Sequence, residues 1–62
     1  MNLIKQTLEQ KGISQTWLSK KLGKSFNMVN SYCQNKIQPS LKTLYKIAKI
    51  LQVEPAELLK KE

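Results

Sequence analysis

The stretch SQTWLSKKLGKSFNMVNSYCQ, residues 14–34, decides how this chain folds. It holds two short helical patterns on either side of one glycine. Ser14 and Ser25 stand eleven positions apart, and each offers a side-chain oxygen that can accept a backbone N–H of a first helical turn. Behind Ser14 come Trp17, Leu18, Lys21 and Leu22, and then Gly23, a residue at home in the left-handed conformation that ends helices. Behind Ser25, the apolar positions Met28, Val29 and Tyr32 follow an i, i+1, i+4 stripe that runs to about Gln34. Two short amphipathic helices joined by a tight, glycine-containing turn form a helix-turn-helix pattern. Such a turn sets the second helix at a steep angle, able to enter a groove about 12 Å wide while the first crosses the backbone. By itself the spacing is also compatible with an ordinary helical bundle.

Outward from this pair the chain divides into three more helix-sized pieces. The first runs from Asn2 to Lys11, carries Leu3, Ile4 and Leu8 at helical spacing, and stops at Gly12. Ile13 then places a hydrophobic residue just before the Ser14 cap. After Gln34, Asn35 is the non-glycine residue type best suited to a left-handed helix end. Pro39 forbids helix continuation, and Ser40 caps a fourth piece in which Leu41, Leu44, Ile47, Ala48 and Leu51 share one face. Pro55 suits the first position of a short last helix with Ala56, Glu57, Leu58 and Leu59. No period-two alternation and no Asn-Gly or Asp-Gly hairpin appears. The expectation is a single all-α domain over 1–62, with no linker or repeat.

Length and composition restrict what such a domain can do. A chain of 62 residues buries a modest core, which favours simple local topology and leaves little room for an enzyme. There is no histidine and one cysteine, Cys33, so a disulfide framework and a multi-cysteine zinc site are excluded. Cys33 is expected to be a partly buried filler near a helix end. A lone thiol suits a reducing, cytoplasmic setting. The apolar runs are too short to span a membrane, and neither a cofactor nor a small-molecule ligand is expected. Charge is more pointed: eleven lysines against four acids give a net charge of +7. From Gln10 to Val53 there are eight lysines and no carboxylate. A basic surface of this kind attracts polyanions, although a lysine-rich solubilising surface would read the same way.

With its flanks, the stretch GISQTWLSKKLGKSFNMVNSYCQNKIQPSLKTLYKIAKILQVEPAELL resembles the phage-repressor and Cro family of helix-turn-helix domains, the XRE type. The resemblance covers roughly Ile4 to Leu59. It rests on Gly12-Ile13-Ser14-Gln15, Leu18, Leu22-Gly23, Val29, Pro39-Ser40-Leu41, Leu44, Ile47-Ala48, Leu51 and Val53. It implies a compact five-helix, lambda-repressor-like fold that binds operator DNA as a dimer. Members serve as repressors, restriction-modification controllers or antitoxins. Two departures stand out. Cys33-Gln34-Asn35 replaces the family's common Glu-x-Gly, which removes an acid able to buttress the following loop. Ser19 replaces a common alanine.

If Val29 and Tyr32 point inward, the outward residues at the start of the second helix are Phe26, Asn27, Asn30 and Ser31. These match the family's base-reading positions. Asparagine pairs with adenine and an aromatic ring can lie against a thymine methyl, whereas the arginine that usually reads guanine is missing. A preference for A·T steps is therefore expected. Gln15 matches a phosphate-contacting residue of the family at a helix start, where free N–H groups favour an anion. Lys24, Lys36 and Lys42 flank the second helix and the following loop and are the expected phosphate partners. Ser25 has a capping duty with a phosphate contact as an addition, and Gln38 and the backbone near Ser40 can reach the same strand. Tyr32 and Tyr45 are expected in the core with hydroxyls at its rim. Trp17 either covers the first helix or meets a protein. One recognition helix reads few base pairs, so a homodimer on a palindromic site is expected, with Val53, Leu58 and Leu59 as a self-association surface. The alternative is a protein-interaction module, such as an antitoxin-like or adaptor domain, for which an exposed Trp17 would speak.

Overall fold

A computed structural model describes residues 2–59; Met1 and residues 60–62, including the acid Glu62, lie outside them. The described residues form four α-helices: α1 (Ile4–Lys11), α2 (Gln15–Leu22), α3 (Phe26–Cys33) and α4 (Leu41–Leu51). A single 3-10 turn, Pro55–Leu58, follows. The fold is all-helical as expected, but the fifth piece is one 3-10 turn rather than an α-helix. Pro55 sets its first position, and Leu59 already returns to extended backbone, so no second turn can form.

The chain breaks where cap chemistry demands. Gly12 and Gly23 are both left-handed, with φ of 67° and 75°. Ser14, Ser25 and Ser40 each accept the N–H three residues on, from Trp17, Met28 and Thr43. The first helix starts later than the apolar spacing suggests. Asn2 is not helical: it makes an isolated antiparallel bridge with Leu59, and Leu3 N–H donates to Leu58 C=O at 2.8 Å. Asn2 Oδ1 then accepts the Ile4 N–H at 3.0 Å and so caps α1 from one residue further out. This bridge is a single residue pair and not a strand.

One core joins all the elements. Ile4 and Leu8 of α1, Leu18 of α2, Val29, Tyr32 and Cys33 of α3, and Leu44, Ile47, Ala48 and Leu51 of α4 are buried together with Leu58. Ile13, Leu22, Ile50 and Val53 pack around them. Burial of one leucine stabilises such a domain by about 2–3 kcal/mol, so losing Leu18 or Leu58 would remove a large share of a small total. Leu58 is wholly enclosed and closes the core, which takes it out of the expected self-association surface.

Three side chains expected on inward stripes point elsewhere. Tyr45 is 56% exposed and Leu41 64%. The buried arc of α4 begins at Leu44, and Tyr45 lies about 100° further round the helix. Met28, at the start of α3, is also exposed. Tyr32 is buried as expected, and so is Cys33, more completely than the expected partial burial. Burial pushes the Cys33 thiol above its ordinary range, and the nearby Lys5 ammonium opposes this only in part.

Candidate nucleic-acid interface

The α2–α3 pair is held by buried side chains at its centre and by hydrogen bonds at its turn. Leu18 and Val29 are fully buried between the elements. Ser19 is buried as well, and its hydroxyl donates to Thr16 C=O at 2.8 Å, so the serine that replaces the family's alanine leaves no unsatisfied polar group. At the turn, Gly23 N–H and Lys24 N–H both donate to Ser19 C=O, at 2.9 and 3.1 Å. Three linked constraints therefore set the angle of α3: the Gly23 backbone, the Ser25 cap and the Leu18–Val29 packing.

On this support the start of α3 is left open. Phe26 is 47% exposed although it is a large aromatic, and Asn27 beside it is exposed too. Asn30 and Ser31 are half-buried one turn later. Asn30 Oδ1 lies 3.5 Å from the Gln34 Nε2 donor, a long hydrogen bond. The Ser31 carbonyl accepts Lys36 N–H at 3.0 Å, which ties the following loop to the helix. Met28 adds exposed apolar surface to the same turn, a contribution the stripe pattern concealed. It is adjacent to Val29 in sequence, and periodicity alone does not settle which of two neighbouring apolar residues faces inward.

The expected phosphate-side residues lie at the surface, with Gln15 the one half-buried among them. Lys24, Lys36 and Lys42 are exposed, as are Ser25, Gln38 and Ser40. Ser25 and Ser40 hydroxyls accept cap hydrogen bonds, and Ser40 also donates to Thr43 Oγ1 at 3.0 Å. Gln15 is half-buried at the start of α2, and its Oε1 is enclosed without a hydrogen-bond partner. Trp17 is 42% exposed, with the Lys21 ammonium 5.4 Å from its ring centroid; this is a cation–π contact worth about 0.5–1 kcal/mol at an exposed site.

The break in the family pattern after α3 is repaired by long-range hydrogen bonds that the sequence reading did not anticipate, around an Asn35 it did expect to end the helix. Asn35 is left-handed, with φ of 60°. Its Oδ1 accepts the Asn2 N–H at 2.8 Å and a Gln38 Nε2–H at 3.1 Å. Asn2 Nδ2 donates to Tyr32 C=O at 2.9 Å and to Gln38 Oε1 at 3.0 Å. A ring of three carboxamides, closed through the Asn2 main chain, thus secures the loop that a glutamate commonly buttresses. Its members are separated by up to 36 positions, and no local pattern announces that.

No group of three or more histidines, cysteines or acids able to hold a metal occurs among the described residues. Nor is any of their helices long and apolar enough to cross a membrane. A helix-turn-helix family model matches residues 4–58. Among solved structures the chain is similar to a crystal structure of a provisionally assigned DNA-binding protein from Bacteroides fragilis. The two share 43% identity with a TM-score of 0.92, over 94% of each chain. None of the curated proteins matches. The match spans all four helices and the 3-10 turn, and the chain belongs to the helix-turn-helix family of the XRE type.

Proposed function

We propose that this chain is a sequence-specific binder of double-stranded DNA that regulates transcription, with α3 entering the major groove. The observation that carries this reading is the open first turn of α3. Phe26 and Asn27 stand exposed on a helix whose angle is held from behind by Leu18, Val29 and the Ser25 cap. A soluble domain gains nothing from displaying a phenyl ring there, whereas a base edge offers it a thymine methyl to pack on. The surrounding carboxylate-free, lysine-rich stretch supplies the attraction to phosphate. Phe26, Asn27, Asn30 and Ser31 read bases, with A·T steps favoured because no arginine is present to read guanine. Lys24, Lys36, Lys42, Gln15, Gln38 and the caps Ser25 and Ser40 meet the backbone. The role is binding rather than catalysis, in a cytoplasmic setting.

We read the active form as a homodimer on a palindromic site, with recognition helices about 34 Å apart. The contact face draws on the exposed apolar side chains Leu41, Tyr45 and Leu59.

The test is a gel shift with a random-sequence duplex library, selection of bound sequences and a salt series. Phe26→Ala and Asn27→Ala should each reduce specific binding about tenfold or more, with the helical fold intact. Each of Lys24→Ala, Lys36→Ala and Lys42→Ala should reduce the salt slope by about one. Selection of G-rich half-sites would sink the A·T assignment, and salt-insensitive binding would sink the electrostatic one. A second reading, a protein-interaction module, draws on the exposed Trp17. It would prevail if Trp17→Ala abolished partner capture while no duplex bound at low salt.

A further inference from the structure

Asn2 is a polar side chain with almost no solvent contact, 3% exposed, and every hydrogen-bonding group it has is used. Oδ1 accepts from Ile4, Nδ2 donates twice, to Tyr32 C=O and Gln38 Oε1, its N–H donates to Asn35 Oδ1, and its C=O receives a longer bond from Asn35 Nδ2. Capping α1 needs one of these bonds. The rest lead to the loop after α3, which the α1 cap does not require.

Their effect is greatest at Gln38, an exposed residue whose carboxamide has two chemically opposite ends. The oxygen would repel a phosphate, and the amino group would donate to it. Left alone, the group would rotate and present either end. Here Oε1 is engaged by Asn2, and one Nε2–H is engaged by Asn35 Oδ1. One Nε2–H remains to donate.

We propose that Asn2 is a positioning residue for phosphate contact: it fixes the Gln38 carboxamide so that an N–H rather than the oxygen meets a DNA phosphate. Asn35 holds the second corner of the same clamp. The inference rests on the DNA-binding reading above and adds to it a residue in the N-terminal segment that touches no DNA.

The test is a double-mutant cycle on binding to a fluorescently labelled duplex of mixed sequence, at a temperature where circular dichroism shows every variant folded. Asn2→Ala should weaken binding about tenfold or more when Gln38 is present, the worth of one hydrogen bond to a charged acceptor. In a Gln38→Ala background the same change should cost less than about twofold. The contact is neutral and releases no counterion, so the salt slope should stay unchanged, unlike the loss of a lysine. If Asn2→Ala does not fold, Asn35→Gly serves in its place. It keeps the left-handed turn, removes the acceptor of Gln38 Nε2, and should show the same dependence on Gln38. Equal losses in both Gln38 backgrounds would mean a merely structural Asn2 and overturn the proposal, as would undiminished binding in every variant. Failure of the unsubstituted chain to bind any duplex is a separate outcome, and it would overturn the DNA-binding reading along with this one.

Discussion

The junctions at Gly23 and Asn35 bracket the same helix and use the same left-handed backbone, φ of 75° and 60°, yet they are secured by different means. At Gly23 the means are local. The residue has no side chain, and a Cβ placed there would meet nothing within 4 Å, so only backbone strain selects glycine. At Asn35 a long-range part is added to the local one. A side chain is present, the strain is accepted, and hydrogen bonds from Asn2 and Gln38 hold the turn. The first junction is secured by its own neighbours, whereas the second also uses the N-terminal segment. The start of α3 is thus held locally, and its end is tied as well to the N-terminal segment.

Four measurements would break or sharpen this contrast. The largest effect is expected for Asn2→Ala, which takes the acceptor from the buried Ile4 N–H and opens the hydrogen-bonded ring. Urea denaturation should report a loss of about 2–3 kcal/mol; a loss under about 0.5 kcal/mol would show the ring to be incidental. Gly23→Ala comes next, at about 1–2 kcal/mol from strain alone. Gly23→Asn should cost clearly less, because asparagine tolerates this conformation, and equal costs would contradict a purely conformational origin. Asn35→Gly relieves strain while discarding hydrogen bonds, so a net loss of at most about 1 kcal/mol is expected. Gln52, also left-handed at φ 58° and exposed, is the control: Gln52→Gly should be neutral or stabilise by up to about 1 kcal/mol. If Asn35→Gly stabilises as much as Gln52→Gly, the side-chain network contributes nothing.

The smallest effect concerns pH. Cys33, at the end of α3, has its thiol pushed upward by burial, with Lys5 opposing. A raised folded-state value means that its contribution to stability is complete below the ordinary thiol range, near pH 8.5. That contribution is lost as pH rises through the folded value. Thermal melts should therefore decline on the alkaline side in the native chain and less so in Cys33→Ala. Identical alkaline slopes would show that the thiol does not ionise in this way.

Much of the candidate site was legible beforehand because it is written in local terms. The serine caps at 14, 25 and 40, the glycine stops and the inward Val29 and Tyr32 all follow from neighbours within four positions. Phe26 and Asn27 emerge as exposed by the same periodicity. Tyr45 and Leu41 were misread for a related reason. A helical stripe says which residues share a face, but the width of the buried arc depends on how far neighbouring elements reach over it. Met28 and Val29 show the same ambiguity within a single turn.

By itself, then, the sequence determined the four α-helices, their breaks and the basic, carboxylate-free character of the central stretch. These rest on backbone conformation, caps and charge, which act over a few residues or are simple sums. Only the tertiary structure decided that Leu58 closes the core, that the fifth piece is a single 3-10 turn beside Leu59, and that Asn2, Asn35 and Gln38 form one ring. Those outcomes join residues more than 30 positions apart. A carboxamide carries both donor and acceptor and can satisfy many partners, so its choice is made by whatever the fold brings within about 3 Å.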